Sequence, residues 1–410
     1  MGSTNPVSRF ATAPYIPPDA IFALTAEYLA DPFPQKVNLG QGAYRDSKAQ
    51  PWVLPSVARS RQLIIEQGLQ HEYLPILGLA EFREHAAALA LGAPCYAARR
   101  NKLATCQTLS GTGALHLAGR ILRACQPSST TVYIPEPTWS NHHLVFSTLG
   151  FECQSFRYYD PATKTLDMDS YHALLRSAHP GSIVILHACA HNPTGLDPSH
   201  DQWREIGHIM KERDLFPLFD AAYLGFNSGD VDHDAFAIRH FIHELELEAA
   251  VCLSFAKNMG LYGERVGCLV VATSTERAAT NSQSLLESLQ RSEISNPPAF
   301  GARIAAEILS DEALQAAWFA DLKTMSARIQ AMRRALYDHL ARNAPGDWDH
   351  LLRQSGMFGF LGLPPSAVKI LKEKHHIYMA SNSRISIAGL NPDNVDYVAQ
   401  CIVEVLENSV

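Results

Sequence analysis

Along the chain, short apolar runs of strand length alternate with stretches whose apolar positions recur at helical spacing. The strand-like runs cover residues 131–134, 182–186, 216–219, 249–255 and 268–272. Between them Leu115, Ala118, Leu122 and Cys125 share one helical face, as do Trp203, Ile206 and Met210. Upstream, two helical stretches between residues 58 and 91 surround the turn Leu74-Pro75-Ile76-Leu77-Gly78. After Ser310 the pattern stays helical as far as Arg342, with little Gly or Pro. Strands alternating with helices predict an α/β fold on a largely parallel sheet. Residues 1–15 lack periodicity and read as an arm. The expected division is a large domain over residues 55–325 and a smaller α/β domain from residues 16–54 with 326–410.

Composition removes several classes. A chain of 410 residues with 47% hydrophobic and 18% charged residues can bury a sizeable core. Its net charge of -7 and lack of a long basic run argue against nucleic acid or an anionic membrane as partner. Eight scattered cysteines without a CxxC pair predict reduced, buried thiols rather than a disulfide framework or a cysteine zinc site. No apolar stretch approaches membrane-spanning length. The N-terminus is polar with a single arginine, Arg9, and lacks a signal or transit pattern. Gly2 suits a myristoylation site, but Pro6 stands where Ser or Thr is required. A cytoplasmic protein is the expectation.

The polar motifs fall at strand ends, where open α/β sheets bind ligands. Lys257 follows the apolar run Ala249-Ala250-Val251-Cys252-Leu253. An amine at a buried strand's mouth loses solvation, its pKa falls, and it becomes a nucleophile able to form a Schiff base. A lysine at a strand end is more often simply a solvated charge. Ser110-Gly111-Thr112-Gly113-Ala114 opens a helix, and its hydroxyls and free N–H groups favour an anion; an ordinary capped helix reads the same way. With Gly119 it loosely imitates a dinucleotide fingerprint, but the spacing is wrong. Asp220 ends an apolar run with Tyr223 three residues on, an arrangement able to hold a protonated pyridine nitrogen and a ring oxygen. His187 and His191 have i, i+4 spacing, yet they lie between a strand and the turn Asn192-Pro193, so a metal is not expected and Asn192 is expected to face the site. Trp139 could stack on a planar ring or sit in the core. Singly these are weak signals. Their order, with Ser254 and Arg265 as phosphate anchors, points to pyridoxal phosphate.

From about Ile21 to the last helix the chain resembles the aspartate aminotransferases, a fold-type I, pyridoxal phosphate-dependent family of class I aminotransferases. The likeness is carried by His71-Glu72-Tyr73-Leu74-Pro75-Ile76-Leu77-Gly78, the Ser110 loop, the segment from His187 to Gly195, and Ser295-Asn296-Pro297-Pro298. The resemblance implies a mostly parallel seven-stranded sheet, a homodimer with shared active sites, and amino transfer between L-aspartate and 2-oxoglutarate. It implies that Lys257 holds the cofactor as a Schiff base and then shuttles the proton. Asp220 would pair with the pyridine nitrogen, with His142 and His187 behind it. Tyr223 and Asn192 would meet the ring oxygen, and Trp139 would stack on the ring. Ser110, Gly111, Thr112, Ser254 and Arg265 would hold the phosphate, joined by Tyr73 of a second subunit. Arg384 would grip the substrate α-carboxylate, and Arg291 would reach across the dimer to the side-chain carboxylate. Gly42, Tyr73 and Phe358 would line the substrate pocket.

Two arginine forks suit a dicarboxylic amino acid, since each binds a carboxylate bidentately. Arg291 also has a plainer reading, as a surface charge satisfied by Glu287 and Glu293. The chain departs from the family pattern at Gln41, Ala256, Gly263, Glu293, Ile294 and the approach Ala380-Ser381-Asn382-Ser383 to Arg384. Ala256 stands where the family has a phosphate-contacting serine, and the changes otherwise cluster at the substrate mouth and spare the cofactor chemistry. They predict intact cofactor chemistry with a substrate or reaction preference open to change. The alternative function is a lyase, decarboxylase or C–C bond-forming reaction on an aspartate-like substrate.

Overall fold

Seven strands form one sheet in the computed structural model, which describes residues 8–126, 128 and 130–408. The first part of the expected arm, including Gly2 and Pro6, lies outside the described residues. We number the strands β1 (Leu103–Leu109), β2 (Thr131–Glu136), β3 (Glu152–Arg157), β4 (Ile183–His187), β5 (Phe216–Ala221), β6 (Ala249–Ser254) and β7 (Val266–Ala272). Their order across the sheet is β1-β7-β6-β5-β4-β2-β3. β7 runs antiparallel to both its neighbours, and the other pairings are parallel. The fold is therefore the mostly parallel seven-stranded α/β sheet that the sequence led us to expect.

β4, β6 and β7 are buried along their whole length. Strands covered on both faces read as continuous apolar runs, which is why the sequence reveals them. Two strands escape that reading. β1 carries Gln107 and Thr108, both buried polar side chains. β3 lies at the sheet edge, with Glu152, Gln154, Ser155 and Arg157 exposed. Neither shows an apolar run.

The helix Ser110–Cys125 follows β1 directly and packs Ala114, Leu115, Ala118 and Ile121 on the sheet. A helix of 32 residues, Glu312–Asn343, is capped by the Asp311 carboxylate, which accepts the Leu314 N–H at 2.7 Å. It packs against helices Pro55–Glu66 and Val395–Glu407. Beyond it, Val37–Asn38 pairs in parallel with Ile377–Tyr378, and Phe358–Phe360 pairs antiparallel with Arg384–Ser386. The N-terminal and C-terminal segments thus close on each other. Asp31 fastens this junction by accepting from Tyr378 Oη and His376 Nδ1, each at 2.7 Å. The Phe33 N–H and these two donors hold its carboxyl at about 2.

The register of the sheet brings the functional strand ends to one edge. His187 lies beside Asp220, Asp220 beside Cys252, and Ser254 beside Gly267. Leu109, immediately before Ser110, lies beside Val266. Residues far apart in sequence therefore face a common space.

Candidate active site

A cavity of about 1310 Å³ opens over that edge. Strand ends form its floor, and helices Ala20–Ala30 and Pro365–His375 form the opposite wall. Lys257 enters it three residues after β6, with Nζ 5.4 Å from the centre of the Tyr223 ring. Burial pushes the amine's pKa down, Asp220 opposes this, and Arg265 adds to it. The net shift is downward, toward easier loss of the amine's proton.

One end of the cavity is built for an anion. Ser110 Oγ and Ser254 Oγ, both buried, lie 3.0 Å apart at the start of the helix Ser110–Cys125. Gly111, Thr112 and Arg265 line the same space. The Ser110 N–H donates to Arg265 O at 3.1 Å, so the helix start and the arginine turn hold each other. Gly267 permits this approach, because a Cβ there would lie 2.4 Å from the Ser110 carbonyl carbon. Two hydroxyls, free helix N–H groups and a guanidinium match a phosphate.

The floor holds a chain of hydrogen bonds. His142 Nε2 donates to Asp220 Oδ2 at 3.0 Å, and Thr138 Oγ1 lies 2.8 Å from His142 Nδ1 and 3.0 Å from His187 Nε2. Thr138 has one hydroxyl proton. With His142 donating from Nε2, Thr138 donates to Nδ1 and accepts from His187, which fixes both tautomers. Burial raises the Asp220 pKa, but the His142 bond and the nearby His142, His187 and Lys257 outweigh it. The net shift is downward, so Asp220 stays anionic. Burial keeps His187 and His191 neutral. His191 donates to or accepts from Thr194 Oγ1 at 2.9 Å and stacks on Tyr158 at 4.0 Å. His187 ends β4 and His191 lies in the loop after it, and no cluster of metal-binding side chains occurs among the described residues.

Trp139, Asn192 and Tyr223 line the cavity around Asp220. The Tyr223 phenol is pushed far up by burial and by the Asp220 charge, so it remains a donor. Asn192 is held through its loop, since Asp197 accepts the Ala190 N–H at 2.7 Å and the His191 N–H at 2.9 Å.

Arg384 closes the far side. Nη2 donates to Gly40 O at 2.7 Å, and the guanidinium lies 4.5 Å from the Phe358 ring centre. Its Nε is buried without a partner. An unpartnered buried donor on a residue that lines the cavity suits a ligand carboxylate. Gly42 allows Phe358 to approach, since a Cβ at Gly42 would lie 3.1 Å from that ring. Ser383, just before Arg384, has φ of 65° and compensates by accepting the Gly362 and Leu363 N–H groups at 2.9 and 3.2 Å.

Two expected site residues stand elsewhere. Tyr73 is 86% exposed, and Arg291, near the end of helix Glu276–Glu293, donates to Ser295 Oγ. Neither lines the cavity of its own chain. Glu293 pairs instead with Arg120 at 2.6 Å and His116 at 3.2 Å, so it does not satisfy Arg291. Thr138 and Asp197 were not singled out in the sequence. Both act through partners tens of residues away or through backbone N–H groups, which leave no local signal.

The family model for class I and II aminotransferases matches residues 34–402. A rice cytoplasmic aspartate aminotransferase is 46% identical over 397 residues, covering 96% of this chain and 97% of the relative. The structure of the cytoplasmic aspartate aminotransferase of Saccharomyces cerevisiae superimposes with a TM-score of 0.95 at 42% identity, covering 98% and 99% of the two chains. An aromatic-amino-acid aminotransferase from Burkholderia pseudomallei, covalently bound to pyridoxal phosphate, gives a TM-score of 0.94 at 38% identity, covering 98% of this chain and all of that one.

Proposed function

The chain belongs to the class I and II aminotransferases, and from that premise we propose that it exchanges the amino group between L-aspartate and 2-oxoglutarate, using pyridoxal phosphate. The observation that carries this reading is the line-up in one cavity of the Lys257 amine, the Ser110–Ser254 anion cradle and the Arg384 guanidinium with its unpartnered Nε.

The donor set fits pyridoxal phosphate. Ser110, Gly111, Thr112, Ser254 and Arg265 would take the phosphate, Asp220 the pyridine nitrogen, and Tyr223 and Asn192 the ring oxygen. Trp139 would stack on the ring and Lys257 would bond to the aldehyde. When bound, the cofactor supplies a conjugated ring that accommodates the electron pair released at the substrate carbon.

The chain's own residues do the rest. Asp220 stays anionic through His142, so it can hold a proton on a heterocyclic nitrogen. Arg384 binds the α-carboxylate bidentately, and its packing on Phe358 keeps the fork in one plane. Lys257, with its pKa lowered by burial, takes and returns the proton. Trp139 and Phe358 exclude water from that exchange.

We read the active unit as a homodimer. Arg384 offers one fork for a substrate carboxylate in the cavity, whereas a dicarboxylate requires two. Arg291 and Tyr73 face outward, and Phe10, Tyr15 and Ile16 are also more than 70% exposed. A second copy would cover these groups and bring Arg291 to the side-chain carboxylate and Tyr73 to the phosphate. The segments 16–54 and 326–410 would form the smaller domain over the cavity. No helix among the described residues is long and apolar enough to cross a membrane. The rice and yeast relatives are cytoplasmic forms, and we place this chain in the same compartment.

Incubation with aspartate and 2-oxoglutarate should give oxaloacetate and glutamate in equal amounts. Release of pyruvate, ammonia or carbon dioxide as primary product would instead support an elimination or decarboxylation reaction on an aspartate-like substrate.

A further inference from the structure

β1 carries a buried amide that ties together two surface segments. Gln107 has no exposed surface. Its Oε1 accepts the Leu79 N–H at 2.9 Å, and its Nε2 donates to Pro298 O at 2.8 Å. Its backbone completes the bracket: the Gln107 N–H donates to Leu77 O at 2.9 Å, and Gln107 O accepts from Gln290 Nε2 at 2.7 Å. Both segments are thus pinned to the same residue, from both faces of its peptide and from its side chain.

The segments also meet directly. Asn296 Nδ2 donates to Leu74 O at 2.9 Å, and Asn296 Oδ1 accepts from Ser295 Oγ at 3.1 Å. Ser295 is in turn the partner of Arg291. A continuous chain of bonds therefore runs from the residue beside Tyr73 to the guanidinium of Arg291. The fit has no slack, since a Cβ on Gly78 would lie 2.3 Å from Gln107 Cβ. Every polar atom of the Gln107 amide group is matched, as a buried amide requires.

Tyr73 and Arg291 both stand clear of their own chain's cavity. A bracket that sets their spacing has nothing to position there. Resting on the shared-site reading above, we propose that Gln107 is a positioning residue that acts in trans, fixing Tyr73 and Arg291 as one rigid pair presented to the partner subunit's cavity. The rival account is local: Gln107 lies three residues before Ser110 and would merely support its own anion cradle.

Hybrid dimers separate the two. A recipient subunit carrying Arg291→Asp supplies Lys257, and a donor subunit carrying Lys257→Ala supplies Tyr73 and Arg291, leaving one competent site. Gln107→Met, which keeps the length and removes both side-chain bonds, is then placed on either subunit. On the donor it should raise KM for aspartate about tenfold with a smaller change in kcat, whereas on the recipient KM should stay within about twofold. Equal rises from either subunit, a rise from the recipient alone, or no rise at all would overturn the proposal. If Gln107→Met yields no folded hybrid, Asn296→Ala on the donor, which cuts the surface tie, decides by the same comparison. The unmodified hybrid tests the underlying reading: activity no greater than that of the parental dimers overturns the shared site and the proposal with it.

Discussion

His142 Nε2 donates to Asp220 Oδ2 at 3.0 Å, and this bond keeps a buried carboxylate charged at the floor of the cavity. Burial alone would raise the Asp220 pKa, while His142, His187 and Lys257 bring it below its ordinary value. Asp220→Asn retains the shape and removes the charge. It should lower kcat/KM by about 10³-fold, while His142→Asn, which leaves the charge but loosens it, should cost about tenfold. Comparable effects of the two variants would show that the charge itself is not what the site uses.

Arg384 is held by Gly40 O and Phe358, with Nε free for a ligand. Arg384→Lys keeps the positive charge but loses the fork. KM should rise about 10²-fold for every amino acid tried, since the α-carboxylate is common to all. Arg291→Asp should instead penalise dicarboxylates selectively. Equal losses on monocarboxylates and dicarboxylates would remove Arg291 from substrate binding.

Gly267 leaves room for the Ser110 backbone against β7. Gly267→Ala would push a methyl into the Ser110 carbonyl and displace the anion cradle. Cofactor affinity, followed by equilibrium dialysis of pyridoxal phosphate, should fall at least about tenfold while the chain remains folded. Retained affinity would mean that the cradle tolerates displacement.

A pair of buried acids gives the protein a stability that depends on pH. Burial pushes the Asp234 carboxyl up to about 6, against the bonds it accepts from Ser228 and Gly225, and the neighbouring Asp197 adds to the rise. Asp197 is itself raised by burial. Between the ordinary carboxyl pKa of about 3.8 and about 6, the folded chain keeps a proton that the unfolded chain has released. Stability therefore falls as pH rises through this window, by about 3 kcal/mol for Asp234. Denaturant titrations from pH 4 to 7 should show that slope, and Asp234→Asn should flatten it. An unchanged slope in the variant would assign the effect elsewhere.

Much of this site was legible because its chemistry sits at the ends of buried strands. Lys257 and Asp220 each sit at the end of an apolar run, so strand recognition and functional reading reinforce one another. The register of the sheet then brings those ends together, which the sequence implies without stating any distance. What could not be read depends on long-range pairing. Gln107 contacts residues 28 and 191 positions away, and its polarity hid β1 as a strand. Thr138 has meaning only between His142 and His187. The exposed edge strand β3 gave no apolar signal because one face of it meets solvent. Ser383 sits where φ is positive, and only the two N–H groups it accepts from residues 362 and 363 explain a serine there.

The central claim is that the Lys257 cavity carries out amino transfer on aspartate. It is tested most directly by mixing the pyridoxal phosphate-loaded protein with L-aspartate and no acceptor, then quantifying products in a single turnover. The account predicts one oxaloacetate per subunit, no release of ammonia or carbon dioxide, and no oxaloacetate burst from the Lys257→Ala variant on the same timescale. No oxaloacetate from the wild-type protein, or an equal burst from the variant, would contradict it.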